Sequence, residues 1–285
     1  MSFLKDQHLH VMGLGLMGAS LAMALRGKVS LISGSDIDSD IEQTALHDGV
    51  IDCVTSPTEA DIVIVAIPAH LIGPMLGTLE LKSGTTVMDL GSTKHSICNV
   101  MDTLPEQIQA VGGHPMCGLA ENGYKNAIPT LYSGARFILC ETTRTTDTAR
   151  ILCEQIAAGV GAIPLWMERA EHDRLAGAIS HLPHLMSFAL MRLAMQLAEN
   201  GDHVYEMAAG GFDGATRLAR TDESMIVGMF STNSDEIRQL VQHLRQHLDD
   251  LTALLDNPDT LRHELSKIVA ARREYTRRYG ERMIT

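Results

Sequence analysis

Three histidines, a serine and an arginine carry side chains suited to moving a proton and holding carboxylates. His114 lies in Gly112-Gly113-His114-Pro115-Met116-Cys117-Gly118, a short glycine-flanked segment. An imidazole there can take up a proton at neutral pH, and it can equally serve as a structural hydrogen-bond partner. Asp89-Leu90-Gly91-Ser92-Thr93-Lys94 offers a hydroxyl at Ser92 and an amine at Lys94. His181 and His184 stand three apart in Ser180-His181-Leu182-Pro183-His184, so on a helix they share a face. No carboxylate or cysteine joins them at ligand spacing, so no metal is expected, and a pair of satisfied core histidines is the plain alternative. Arg217 follows the glycine-rich run Gly210-Gly211-Phe212-Asp213-Gly214. A guanidinium can clamp a carboxylate through two parallel hydrogen bonds, or pair with a surface acid.

A second group of residues has the pattern of a dinucleotide site. Gly13-Leu14-Gly15-Leu16-Met17-Gly18 is GxGxxG, placed after an apolar strand signal and before a helical one. Gly13 permits the tight turn, Gly15 lets the backbone approach a pyrophosphate, and Gly18 lets the helix pack on the strand. An acid is expected about 20 residues on to bond the ribose hydroxyls. Asp36 lies 18 residues after Gly18, with Asp38 and Asp40 nearby. A carboxylate there repels a 2′-phosphate, which favours NAD over NADP. Ala66-Ile67-Pro68, at the end of a β-branched run, is expected to line the adenine and ribose side.

The elements that must hold these residues can be read from periodicity. Strand signals at residues 8–13, 29–33, 61–67, 85–90, 111–113 and 136–140 alternate with helical stretches such as 16–25 and 41–48. That alternation predicts βαβ units and a parallel sheet, α/β in class and doubly wound in the Rossmann manner. From about residue 168 strand signals fade. Helices are expected over 170–198, 217–229, 234–255 and 260–279, with the glycines at 210–214 as a turn. The expected division is a dinucleotide-binding domain, 1–168, and an all-helical substrate and dimerisation domain, 169–285.

Composition narrows the function. Among 285 residues, 23 Lys and Arg face 35 Asp and Glu, a formal charge of −12 that argues against a nucleic-acid or anionic-membrane partner. Five cysteines, with no CxxC, point away from a disulfide framework and towards a reducing, cytoplasmic setting. The N-terminus lacks the plan of a signal peptide. Residues 175–191 carry no Asp, Glu, Lys or Arg, yet include His181, Pro183 and His184. That stretch is too polar for a membrane span and too apolar to face water, so a protein-buried helix and a homodimer built on it are expected.

Taken together, these segments resemble the prephenate/arogenate dehydrogenase family of tyrosine biosynthesis. The resemblance rests on GLGLMGASLA at 13–22, DLGSTK at 89–94, GGHPMCG at 112–118, HD at 172–173, SHLPH at 180–184 and GGFDGATR at 210–217. It implies an NAD(P)-dependent oxidative decarboxylation of prephenate or arogenate. His114 would then act as the base at the substrate 4-hydroxyl and Ser92 would bond that hydroxyl. His184 and Arg217 would contact substrate carboxylates, His181 would support them, and Gly210 would supply a backbone position in the pocket. The chain departs from the family pattern at one place, with Ala120 where many members have an acid, followed by Glu121. Two other readings stand beside this one. A β-hydroxyacid dehydrogenase shares the GLGxMG start but needs a lysine base, and a non-catalytic NAD-binding regulator would have lost the chemistry.

Overall fold

Eight strands form one sheet in the order β3-β2-β1-β4-β5-β6-β7-β8. They are β1 His8–Met12, β2 Leu31–Ser35, β3 Cys53–Val54, β4 Ile62–Val65, β5 Thr86–Asp89, β6 Gln109–Pro115, β7 Arg136–Glu141 and β8 Ile163–Trp166. This computed structural model describes residues 4–119, 121–199, 201 and 203–280; the departure at Ala120 lies outside them. Pairing is parallel except between β6 and β7. The sheet reads as expected, with two additions at its edges. β3 has only two residues, and β8 is a half-exposed edge strand containing Pro164. Neither offers the continuous apolar run of a doubly covered strand, and proline is tolerated because it lies at the edge.

Five helices connect the strands: α1 Leu16–Leu25, α2 Ser39–His47, α3 Ala69–Leu76, α4 His95–Met101 and α5 Asp147–Gly159. Alternate strand residues feed two core layers. Leu9, Val11, Ile62, Ile64 and Val111 pack with Leu21 and Leu25 of α1 and Leu152 and Ile156 of α5. Val63, Val65 and Val87 pack with Ile72 and Leu76 of α3 and Ile97 and Met101 of α4. Strand order reverses between β1 and β4, so the loops after those two strands border the crevice where a doubly wound sheet binds its ligands.

Every described element after β8 is helical: α6 Arg169–Ala176, α7 Leu182–Ala198, α8 His203–Glu206, α9 Gly210–Thr216, α10 Glu223–Thr232, α11 Ser234–Thr252 and α12 Pro258–Tyr279. The single helix expected over 170–198 is interrupted by a π-turn, Gly177–His181. The glycine run at 210–214, expected to be a turn, is itself the helix α9. Arg217 opens a 3₁₀ turn rather than a long helix. By compactness the chain parts into Met1–Ser234 and Asp235–Thr285. That point comes well after the change of composition near residue 168, because α10 packs on α3 and α6 packs on α4.

In the first unit, the uncharged stretch 175–191 is only partly covered. Ile179 is 68% exposed, and Leu193 and Leu197 further along α7 are more than half exposed. The second unit comprises α11 from Asp235 and α12. Both carry apolar stripes at helical spacing, with Leu248, Leu265, Ile268 and Val269 exposed. Among the described residues no helix is long and apolar enough to cross a membrane.

Candidate active site

The crevice between β1 and β4 is shaped by glycine. Gly13 has a φ of 90°, and a Cβ there would lie 2.5 Å from the Ala66 carbonyl oxygen. The two loops therefore touch through backbone alone, which puts Ala66, Ile67 and Pro68 directly opposite the turn. Gly18 is tighter still, since a Cβ would fall on the Gly13 carbonyl. Around Gly15, by contrast, a Cβ would meet nothing within 4 Å, so the start of α1 is open to an approaching phosphate. Leu16 and Met17 form the first turn of α1, with Leu16 buried. Asp36 closes the other side. Its Oδ2 accepts from the Leu14 N–H at 2.6 Å. Asp38 is occupied in capping α2, its Oδ1 accepting from the Asp40 N–H at 2.9 Å. Of the three nearby acids, Asp36 is the one tied to the glycine loop, and the donor set fits a dinucleotide with free ribose hydroxyls.

At the carboxyl ends of β5 and β6 lies a buried polar cluster. Asp89 and Lys94 are fully buried and form an ion pair. Asp89 also accepts from the Gly113 N–H at 3.0 Å and the Gly91 N–H at 2.8 Å, locking the Ser92 loop to the β6 strand that carries His114. His114 itself is partly exposed. Its Nδ1 lies 2.8 Å from Nε2 of His172 on α6. The His172 Nδ1 lies 2.7 Å from Oδ1 of Asp173. Asp173 further accepts from the backbone N–H groups of Lys94 at 2.7 Å and His95 at 2.8 Å. Burial pushes the Asp173 carboxyl up, but these hydrogen bonds outweigh it and hold it below the usual carboxylate range. Burial, reinforced by His172, Lys94 and His181, holds His114 well below the ordinary histidine value. His114 is therefore uncharged at neutral pH, the state a base needs.

His181 is fully buried, and burial lowers its pKa to about 4. Asn233, at the end of α10, uses its side-chain amide to reach both the Asp173 carbonyl at 2.8 Å and the His181 Nδ1 at 3.0 Å. The Ser92 backbone faces the same imidazole and favours its charged form. The π-turn explains how His181 and His184 come to lie here. Leu182 bonds back to the Gly177 carbonyl, five residues away, and Pro183 enters α7 where its missing N–H leaves no intrahelical gap. The Ser180 carbonyl accepts from the His184 Nδ1 at 2.9 Å. Burial lowers the His184 pKa, the Ser180 contact opposes that, and the Arg217 charge adds to it. Asn233, Asp173 and His172 thus connect His181 to His114, the Ser92 backbone lies against His181, and the Arg217 charge is felt at His184. Gly210 is exposed at the start of α9 and has no hydrogen bond to this set.

Sequence reasoning noticed His172 and Asp173 only as part of a motif and missed Asn233 altogether. The adjacent His-Asp pair is a weak signal, and a lone asparagine gives none. Among the described residues no group of three His, Cys, Asp or Glu is placed to hold a metal ion.

Comparison with known proteins settles the ancestry. Residues 21–163 match the family model described as prephenate dehydrogenase, nucleotide-binding domain, and residues 168–270 match prephenate dehydrogenase, dimerization domain. The chain belongs to the prephenate dehydrogenase family. It is 31% identical over 272 residues to the prephenate dehydrogenase of Bacillus subtilis, covering 91% of this chain and 72% of that one. The fold matches the crystal structure of Aquifex aeolicus prephenate dehydrogenase in complex with hydroxyphenyl propionate and NAD+, with a TM-score of 0.89, 28% identity, and coverage of 96% and 99% of the two chains. It also matches Synechocystis arogenate dehydrogenase, with a TM-score of 0.79, 27% identity, and coverage of 94% and 99%. The enzyme is an NAD-dependent dehydrogenase, and family membership sets aside the β-hydroxyacid dehydrogenase and non-catalytic readings.

Proposed function

We propose that this chain oxidises prephenate with NAD, releasing CO2 and 4-hydroxyphenylpyruvate. The observation that carries the assignment is His114: uncharged, partly exposed, near the carboxyl end of β6, and held by a buried partner on one nitrogen. Bound NAD supplies the acceptor for the hydride that leaves C4 of the substrate. Gly13, Gly15 and Gly18 shape its cradle, Ala66, Ile67 and Pro68 line the opposite loop, and Asp36 bonds its ribose.

The remaining chemistry belongs to side chains of this protein. The His114 Nε2 takes the proton of the 4-hydroxyl as the C4 carbonyl forms. Ser92 bonds the same hydroxyl and keeps its proton aimed at His114. Arg217 and His184 hold the substrate carboxylates. Once the dienone exists, loss of the ring carboxylate is driven by aromatisation, and the proton held by His114 returns to the oxygen as the phenol forms. The low-dielectric surroundings of Asp89, Lys94 and His181 strengthen each of these contacts.

The test is NADH formation followed by absorbance with prephenate and, separately, with arogenate. Turnover of prephenate with the higher kcat/KM supports the assignment. Turnover of arogenate alone moves the substrate to the amino side chain, and reduction by neither overturns it.

We further place the enzyme in the cytoplasm as a homodimer. The support is five free thiols, the exposed apolar residues of α7, α11 and α12, and the dimerization domain matched over residues 168–270. A sedimentation run at micromolar concentration that finds only monomer refutes the dimer.

A further inference from the structure

His172 and Asp173 touch no position assigned to substrate or cofactor, yet they end in the base. The geometry points to this pair as positioning residues that fix which nitrogen of His114 is free to take a proton; the inference rests on His114 being that base. Asp173 is ionised and can only accept. Its two oxygens receive the backbone N–H groups of Lys94 and His95, and Oδ1 also faces the His172 Nδ1 at 2.7 Å. The His172 Nδ1 therefore carries hydrogen, and whenever that ring holds a single proton its lone pair is at Nε2. That lone pair lies 2.8 Å from the His114 Nδ1, which must donate to it. The lone pair of His114 is left at Nε2, on the side away from its buried partner. Without His172 the imidazole is free to place its hydrogen on either nitrogen, and one of those forms cannot act as a base towards the substrate.

The same arrangement gives the proton's positive charge a place to rest. When Nε2 gains a proton, the Nδ1 proton can shift to the His172 Nε2, leaving a histidinium 2.7 Å from the Asp173 carboxylate. One proton enters the pair and one moves along it, with no change in electron count. The charged and titratable groups facing His114 are His172 and Asp173 from α6, Lys94 with its partner Asp89, and His181. Asp173 also secures the start of α4 through the Lys94 and His95 N–H groups, so one carboxylate sets both the base and the chain that follows Ser92.

The test uses the full-length enzyme with His172→Phe, His172→Gln and His114→Asn. Nitrogen-15 NMR of histidine-labelled wild-type protein near neutral pH should show His114 protonated at Nδ1 and bare at Nε2. His172→Phe should lose that signature and lower kcat by roughly 10²-fold, within what general-base catalysis contributes, with the KM for NAD unchanged. Its acidic limb should move to higher pH, because one of the influences holding His114 down is gone. Glutamine can accept from His114 and donate to Asp173, so His172→Gln should recover most of the lost kcat. The inference is overturned if wild-type His114 carries its proton on Nε2, or if His172→Phe keeps both kcat and pH profile. It is also overturned if glutamine does no better than phenylalanine. A His172→Phe protein that fails to fold leaves the wild-type spectrum and the glutamine variant to decide. A His114→Asn enzyme with normal kcat removes the base assignment itself, a separate failure that the NMR signature does not share.

Discussion

Lowering the pH should destabilise the enzyme through histidines that are buried without charge, and His10 offers the cleanest measurement. It lies in β1, fully buried, with Nδ1 2.9 Å from the Ser33 hydroxyl and Nε2 3.0 Å from the Ser35 hydroxyl. Burial, with the neighbouring His8 adding to it, lowers its pKa from 6.5 to about 4. The unfolded chain protonates near 6.5, whereas the folded protein resists protonation down to about 4. Stability is therefore complete above the unfolded value and declines as pH falls across that window. At about 1.4 kcal/mol per pH unit, the whole window is worth about 3 kcal/mol, of which about 2 kcal/mol is lost between about pH 7.5 and about pH 5. Urea unfolding of wild type and His10→Gln at those two pH values measures it. The variant keeps the contributions of His114 and His181, so the difference in pH dependence isolates His10. Wild type should lose about 2 kcal/mol more than the variant over that interval. Equal losses would show that His10 takes up its proton in the folded state, through a rearranged β1–β2 pair, and the burial argument would fail.

Three further outcomes follow from the site. His114→Asn should lower kcat by roughly 10²–10⁴-fold, leave NAD affinity little changed and abolish the acidic limb of the pH profile; steady-state kinetics across pH checks all three. Arg217→Ala should act mainly on KM for prephenate, raising it roughly 10- to 150-fold for a lost charge-assisted contact of ~1.5–3 kcal/mol, and an unchanged KM would place the carboxylate elsewhere. Asp36→Ser should narrow the preference for NAD over NADP, read as the ratio of the two kcat/KM values; an unchanged ratio would mean that another group rejects the 2′-phosphate.

The sheet was legible because its central strands are buried on both faces. A run such as Ile62, Val63, Ile64 and Val65 has no other stable use beside a glycine turn. The edge strands were not legible, since β8 alternates exposed and half-buried residues around Pro164. In the helical half, composition correctly gave helices but not their breaks. Pro183 signals an irregularity, yet it does not say that the irregularity falls one turn earlier as a π-turn. The candidate site divides the same way. Gly13, Gly15, Gly18 and Asp36 follow from spacing because a phosphate and a ribose impose it. His114 was visible from its glycine neighbours, which Asp89 and β5 require for close packing, a Cβ on Gly113 falling 2.4 Å from the Asp89 carbonyl. Asn233 was invisible, because its partners His181 and Asp173 lie more than fifty residues away in sequence.

The proposed chemistry also explains why its base sits in a well-hydrogen-bonded setting. A prephenate dianion and an oxidised nicotinamide become a hydroxyphenylpyruvate monoanion, CO2 and a reduced nicotinamide, with no proton left over. The proton removed from the 4-hydroxyl at the start must therefore be returned to the same oxygen when the ring becomes a phenol. A base open to bulk water would exchange that proton freely, and its pKa would sit near the ordinary histidine value. His114 instead has one nitrogen committed to a buried partner, and Lys94, His172 and His181 all oppose its charge. These influences weaken the ring as a base. The ionised Asp173, behind His172, is what offsets this: it stabilises positive charge that appears on the pair during the reaction without charging His114 beforehand. Neutral before turnover and able to carry charge during it, the His114–His172–Asp173 array of the proposed mechanism would meet both demands of a reaction that borrows one proton and gives it back.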